Sequence, residues 1–297
     1  MCDSEMRETV YYKVAGHLYS VSAEKDVFAM MKNYEPFKSD GDATTFTLVI
    51  ENGKAPDYTE ELRQDDEEQT IICGCTIDGR PVFEFRWQNI TAGWLICTGD
   101  YRDGQLVVTD RHVKMAIDNA LMVLFALATA DKNTLLFHAS VVSYKGYGYM
   151  FLGKSGTGKS THSSLWQQYV DATELINDDN PVVRIEDDNQ IVVYGSPWSG
   201  KTPCYRNVVC PLGGIVLLCQ APYNKICRLT GIETYAALVP SISGKRWDVR
   251  IADGLHQSEN ILARQIPAYY LECLPDEEAV RVCYAALMHI MMKYDER

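Results

Sequence analysis

The segment Gly153-Lys154-Ser155-Gly156-Thr157-Gly158-Lys159-Ser160 constrains this chain more than any other stretch. It fits the pattern G-x-x-x-x-G-K-[ST], with an apolar run, Tyr147–Leu152, before it and a helical pattern to about Tyr169 after it. A strand, a tight loop and a helix in that order predict an α/β layer, with the loop at the sheet's edge. At average composition the pattern arises by chance in about one chain in a hundred of this length. Glycines let successive backbone N–H groups turn inward as an anion nest, and the helix start adds its positive dipole end. In that chemistry Lys159 reaches the β- and γ-phosphates and the Ser160 hydroxyl ligates Mg²⁺, so ATP and Mg²⁺ are the expected cofactors. Thr161, the next residue, completes the expected nucleotide-binding stretch.

The rest of the composition bears on this loop through charge. The chain has 297 residues, 28 basic against 40 acidic, for a net charge of −12. An acidic balance argues against a general nucleic-acid binder, so a polyanion must be held by local chemistry. The ten cysteines include no Cys-x-x-Cys pair and several sit in apolar runs, which predicts free thiols and no thiolate metal site. The N-terminus lacks a basic and an apolar leader region, and the apolar stretch Met115–Ala130 is shorter than the roughly 20 residues a membrane span needs. The expectation is a cytoplasmic protein without membrane contact.

Two regions are expected, 1–131 and 132–297. The first is β-rich, with strands at Val10–Val14, His17–Val21, Thr44–Ile50, Thr70–Ile77, Pro81–Trp87, Gly93–Thr98 and Leu106–Thr109, and a short helix between Glu24 and Asn33. The segment from Asp57 to Glu68 carries seven acids and one base, half of the net charge, and is expected as a solvated loop. A buried helix from about Asp110, with that residue as N-cap, to Ala130 closes the region. The second region reads as strands at Leu135–Ser143 and Tyr147–Leu152, the loop and its helix, then Glu174–Asn177. A hairpin of Val182–Ile185 and Ile191–Tyr194, a strand Gly214–Gln220 and a final helix from Asp276 to about Lys293 follow.

Phosphoryl transfer to a hydroxyl also needs acids, to hold Mg²⁺ and to take the acceptor's proton. Of three Asp-Asp pairs, Asp65-Asp66 lies in the acidic segment and Asp187-Asp188 at a hairpin turn. Only Asp178-Asp179 follows a short apolar strand directly after the loop's helix, which places it at the ligand-binding edge of the sheet. Neighbouring residues there point in different directions, so one carboxylate can face a metal and the other an acceptor. Either residue can fill either role.

The segments FLGKSGTGKSTHSSL and LINDDNPVV resemble the nucleotide-binding core of the HPr kinase/phosphorylase family, which shares its architecture with ATP-dependent phosphoenolpyruvate carboxykinases. The resemblance covers roughly Asp131 to Arg297. It implies ATP and Mg²⁺ binding through Gly153–Ser160, one of Asp178 and Asp179 as metal ligand (Asp179, with Ser160, being the assignment carried forward) and the other as base. His138 stands where those kinases carry a histidine near the active site. The glycine-containing signature that contacts HPr in true HPr kinases has no counterpart here; Gly195-Ser196-Pro197-Trp198-Ser199-Gly200-Lys201 stands in its place. The implied activity is therefore a kinase acting on a protein serine or a small metabolite rather than on HPr, with oligomer formation inherited only by resemblance. An ATP-dependent regulatory module without transfer, and a carboxykinase-like enzyme, are the rival readings.

Weaker candidates are Lys201 and Arg206, cations that could reach a transferring phosphoryl group. His162 is expected to pack or cap. Lys245, Arg246 and Arg250 around Trp247 could meet an acidic acceptor.

Overall fold

A computed structural model describes residues 7–66, 68–200 and 202–295, with side chains of the last helix described as far as residue 289. The fold is mixed α/β, and the chain divides into two compact units, one ending at Thr129 and the other beginning at Ala130.

The first unit holds strands β1 (Glu8–Val14), β2 (His17–Ala23), β3 (Phe46–Asn52), β4 (Tyr58–Asp66), β5 (Gln69–Thr76), β6 (Pro81–Trp87), β7 (Ile90–Cys97) and β8 (Asp103–Val108), with helices α1 (Lys25–Met30) and α2 (Val113–Thr129). They form one sheet in the order β1-β2-β3-β8-β7-β6-β5-β4, parallel only at β2–β3 and β3–β8. Helix α2 packs on β3, β6, β7 and β8, and Phe125 meets Phe46 edge-on at 6.5 Å. Two sequence expectations change here. Most of the acidic segment is strand β4, not loop; every residue after Tyr58 in it is exposed, so no hydrophobic alternation marks it, and β5 holds it through the backbone. Its charges discourage edge-to-edge pairing at the sheet's open end. Helix α2 starts at Val113, and Asp110 does not cap it: His112, with φ of 52°, turns the chain and its carbonyl accepts from Ala116 N at 3.1 Å.

The second unit runs β9 (Thr134–Leu136), β10 (Ala139–Tyr144), β11 (Tyr147–Leu152), α3 (Lys159–Tyr169), β12 (Glu174–Asp179), β13 (Val182–Ile185), β14 (Ile191–Tyr194), β15 (Val209–Gln220), β16 (Lys225–Leu229), α4 (Ile232–Leu238), α5 (Val249–Gln265), β17 (Ala268–Cys273) and α6 (Glu277–Asp295). Strand β15 belongs to two ladders. Its start pairs with β14, which leads to β13 and β9; its remainder runs parallel to both β11 and β17. The single run expected over Leu135–Ser143 is broken at Phe137-His138, because β9 pairs with β13 whereas β10 pairs with β11 and β12. The sequence reading also assigns no elements to 225–273, where β16, α4, α5 and β17 lie.

Strand β11 is buried from Gly148 to Leu152. Phe151, Trp166, Val216, Leu218, Leu271 and Leu287 form the core between the sheet and helices α3 and α6. Each such side chain contributes about 1.5–3 kcal/mol by leaving water. This core seats α3, and hence the loop before it, on the sheet. All described cysteines are free thiols, and among the described residues no helix is long and apolar enough to cross a membrane.

Candidate functional site

Strands β11 and β12 run in the same direction, with β10 antiparallel between them. Ser140 of β10 is in register with Phe151 on one side and Asp178 on the other. Two strand spacings, about 10 Å, therefore separate the backbone of Asp178 from that of Phe151, two residues before the glycine loop. His138, just ahead of β10, reaches the same edge. The loop, the histidine and the paired aspartates share one end of the sheet by topology alone.

The loop has the backbone that its composition predicts. Gly156 and Gly158 have φ of +77° and +100°, which side chains with a Cβ adopt only with strain. A Cβ placed on Gly156 would meet nothing within 4 Å, so the glycine is there for conformation and not for close packing. Gly158 is the N-cap of α3 and no side chain caps the helix. Lys159, 9% exposed, folds back so that Nζ donates to Gly153 O at 2.9 Å and Lys154 O at 3.3 Å. The Thr157 hydroxyl donates to Lys154 O, closing the turn. Lys154, Ser155, Ser160 and Thr161 are exposed at the loop's surface. Behind the loop, Ser140 and Ser163 hydroxyls are 2.6 Å apart and tie α3 to β10. His162 is a packing residue. Its Nε2 accepts from Trp166 Nε1 at 3.2 Å, it stands edge-on to Phe151, and burial pulls its pKa down to about 4.

The aspartates occupy the last two positions of β12 rather than the loop after it. Asp179 is held at both oxygens: His138 Nδ1 lies 3.0 Å from Oδ1, and Asn180 Nδ2 donates to Oδ2 at 2.8 Å. Asp178 is 4% exposed, and among the described residues neither of its carboxylate oxygens has a hydrogen-bond partner. A buried carboxylate without a partner costs about 1–3 kcal/mol or more, a cost that a bound cation would offset.

Asn177 and Ser196 escaped the sequence reading. Asn177 is fully buried; its Oδ1 accepts from Asp179 N (3.0 Å) and Asn180 N (2.8 Å), and its Nδ2 donates to Ser196 Oγ and Trp198 O, both at 3.1 Å. The Ser196 hydroxyl donates to Asn180 O at 2.6 Å. These bonds lace 196–200 to the aspartates, and Gly200 N donates to Asp178 O at 2.9 Å. A Cβ on Gly200 would stand 3.3 Å from Asp179 Cβ, so the loop shuts tightly over that side chain. The Asn-Asp-Asp-Asn run, with an Asx turn in its composition, was the available signal.

The structure thus brings together Gly153–Thr161, His138, Asp178 and Asp179. Arg206 is engaged elsewhere, donating to Leu175 O at 2.8 Å and Glu174 Oε2 at 2.7 Å at the start of β12, and carries no phosphate role below. Lys201 lies outside the described residues. Arg246 pairs with the buried Glu259 at 2.5 Å rather than standing ready for an acceptor, and Lys245 lies 5.6 Å over the Trp247 ring. Among the described residues no group of three His, Cys, Asp or Glu side chains gathers to hold a metal unaided. No protein-family model and no curated protein matches the chain.

Proposed function

We propose that the second unit is an ATP-dependent phosphotransferase of the HPr kinase-like type, passing the γ-phosphoryl group to a hydroxyl on a protein or a small molecule. The observation that carries this reading is the buried carboxylate of Asp178, unpartnered among the described residues, at the same sheet edge as a glycine-lined helix start that no side chain caps. An anion nest alone suits any phosphate. An adjacent carboxylate without a partner suits a phosphate that arrives with a cation.

Mg²⁺ fits these residues, with Asp178 and the exposed Ser160 hydroxyl as its protein ligands and nucleotide oxygens completing the set. Bound there, it would neutralise charge on the β- and γ-phosphates. The bonding pattern favours Asp178 for this role, in place of the Asp179 carried forward from sequence. Asp179 then works with His138. By accepting from Nδ1–H it leaves Nε2 as the basic nitrogen, the tautomer logic by which a carboxylate orients a histidine base. Lys159 has to exchange its loop carbonyls for phosphate oxygens, and those carbonyls keep the ammonium solvated until it does. Backbone N–H groups of 153–160 bind and orient the phosphates.

The test is incubation with γ-labelled ATP and, separately, protein and metabolite extracts of the source cell. Label on a protein serine or a metabolite is the expected result, absent from Lys159→Ala and Asp178→Asn. Transfer that survives both substitutions, or calorimetric ATP affinity unchanged by Lys159→Ala, would refute the reading.

A further inference from the structure

If the site binds a nucleotide, its polarity follows from the flanks of the loop. His138 and the aspartates stand on the β10–β12 flank, so the reacting phosphate points there and the other end of the ligand leaves over β15 and β17. Those two strands run parallel to β11 and end at the same edge. Gln220, the last residue of β15, donates from Nε2 to Gly156 O at 3.1 Å, joining that strand end to the loop tip.

Beyond Gln220 lies a cluster with no part in the phosphate chemistry. Strand register puts Cys219 and Lys225 on either side of Glu272, and Leu217 and Cys227 on either side of Tyr270, all on the sheet face opposite the α3 and α6 core. Tyr223, in the turn after Gln220, is 50% exposed and donates to Glu272 Oε1 at 2.9 Å. The Tyr270 hydroxyl meets the Cys219 thiol. The result is two accessible tyrosine rings beside a carboxylate with spare acceptor capacity, since a carboxylate offers about four lone-pair sites and Tyr223 takes one.

We propose that this cluster is the nucleoside subsite: Tyr223 and Tyr270 flank the base, and Glu272 accepts from the ribose hydroxyls. The inference rests on the phosphate-loop reading and adds to it the element that separates a nucleotide from a bare polyphosphate. Stacking on an aromatic ring suits any base, and a carboxylate at the end of a parallel strand is a known solution for a ribose diol. Glu272 repels phosphate, which reinforces the direction of the ligand.

The experiment compares calorimetric affinities of the full-length chain for Mg·ATP and for Mg·tripolyphosphate, in wild type, Tyr223→Ala and Glu272→Gln. Tyr223 sits in an exposed turn, so its removal leaves the core untouched. Each variant is expected to lose about tenfold or more in ATP affinity while tripolyphosphate binding stays within about twofold of wild type. Unchanged ATP affinity in both variants, or equal loss for both ligands, would overturn the subsite. Wild type that binds neither ligand would overturn the phosphate-loop reading, and the subsite with it.

Discussion

Acid should loosen this protein through one residue in the helix that follows the glycine loop. His162 is buried against Phe151 and Trp166, and burial holds its pKa near 4 against an ordinary value of 6.5. Between those values the unfolded chain binds a proton that the folded chain refuses, so stability falls as pH falls. The contribution is intact above about pH 6.5 and is lost progressively toward pH 4. A two-state linkage with these values removes about 2 kcal/mol by pH 5 and about 3 kcal/mol by pH 4, on the scale of a domain's whole margin. The assay is urea unfolding by tryptophan fluorescence from pH 8 to pH 4.5, in wild type and in His162→Gln, which keeps an acceptor for Trp166 but does not titrate. Other groups titrate alike in both proteins, so the difference between the two curves isolates His162. The wild-type curve should drop relative to the variant below pH 6.5. Parallel curves would refute the reasoning.

Asp178→Asn should raise the melting temperature of the metal-free protein, by about 1–2 kcal/mol in stability, because it replaces a buried carboxylate that has no hydrogen-bond partner among the described residues with a neutral amide; a lower melting temperature would count against that arrangement. The same variant should lose the extra thermal stabilisation that Mg·ATP confers on wild type. Asn177→Ala deletes the side chain that laces 196–200 to the aspartates, and should cost about 2–4 kcal/mol by denaturant unfolding while also abolishing transfer; full activity would show that the aspartates hold themselves. Arg246→Met takes the guanidinium from the fully buried Glu259, which keeps the bond from the Tyr235 hydroxyl, and a loss of about 3 kcal/mol is expected, whereas replacing both Arg246 and Glu259 with apolar residues should recover most of it.

The glycine loop was legible in the sequence because its glycines mark a backbone conformation. Only glycine tolerates the φ values at Gly156 and Gly158, and the strand and helix around them carry plain hydrophobic patterns. The aspartate pair was legible for a similar reason, being the pair that closed an apolar strand. Strand β4 was not, because a strand exposed on both faces has no period to read; α4, α5 and the two strands around them went unassigned as well, although α5 buries Ile251, Leu255, Ser258, Glu259 and Leu262 at helical spacing. The break at Phe137-His138 was hidden too. Continuous apolar sequence cannot show that its two halves join different ladders.

By itself the sequence determined the chemistry available: an anion nest, a lysine, a hydroxyl, a histidine and two carboxylates in a strongly acidic chain. The tertiary structure decided how the two carboxylates differ. The two are adjacent in sequence and identical in kind, yet Asp179 is satisfied by His138 and Asn180, whereas Asp178 is buried with neither oxygen bonded among the described residues. That distinction depends on which strand lies beside which, and on Asn177 pinning the turn between them, so it arises only when segments remote in sequence meet.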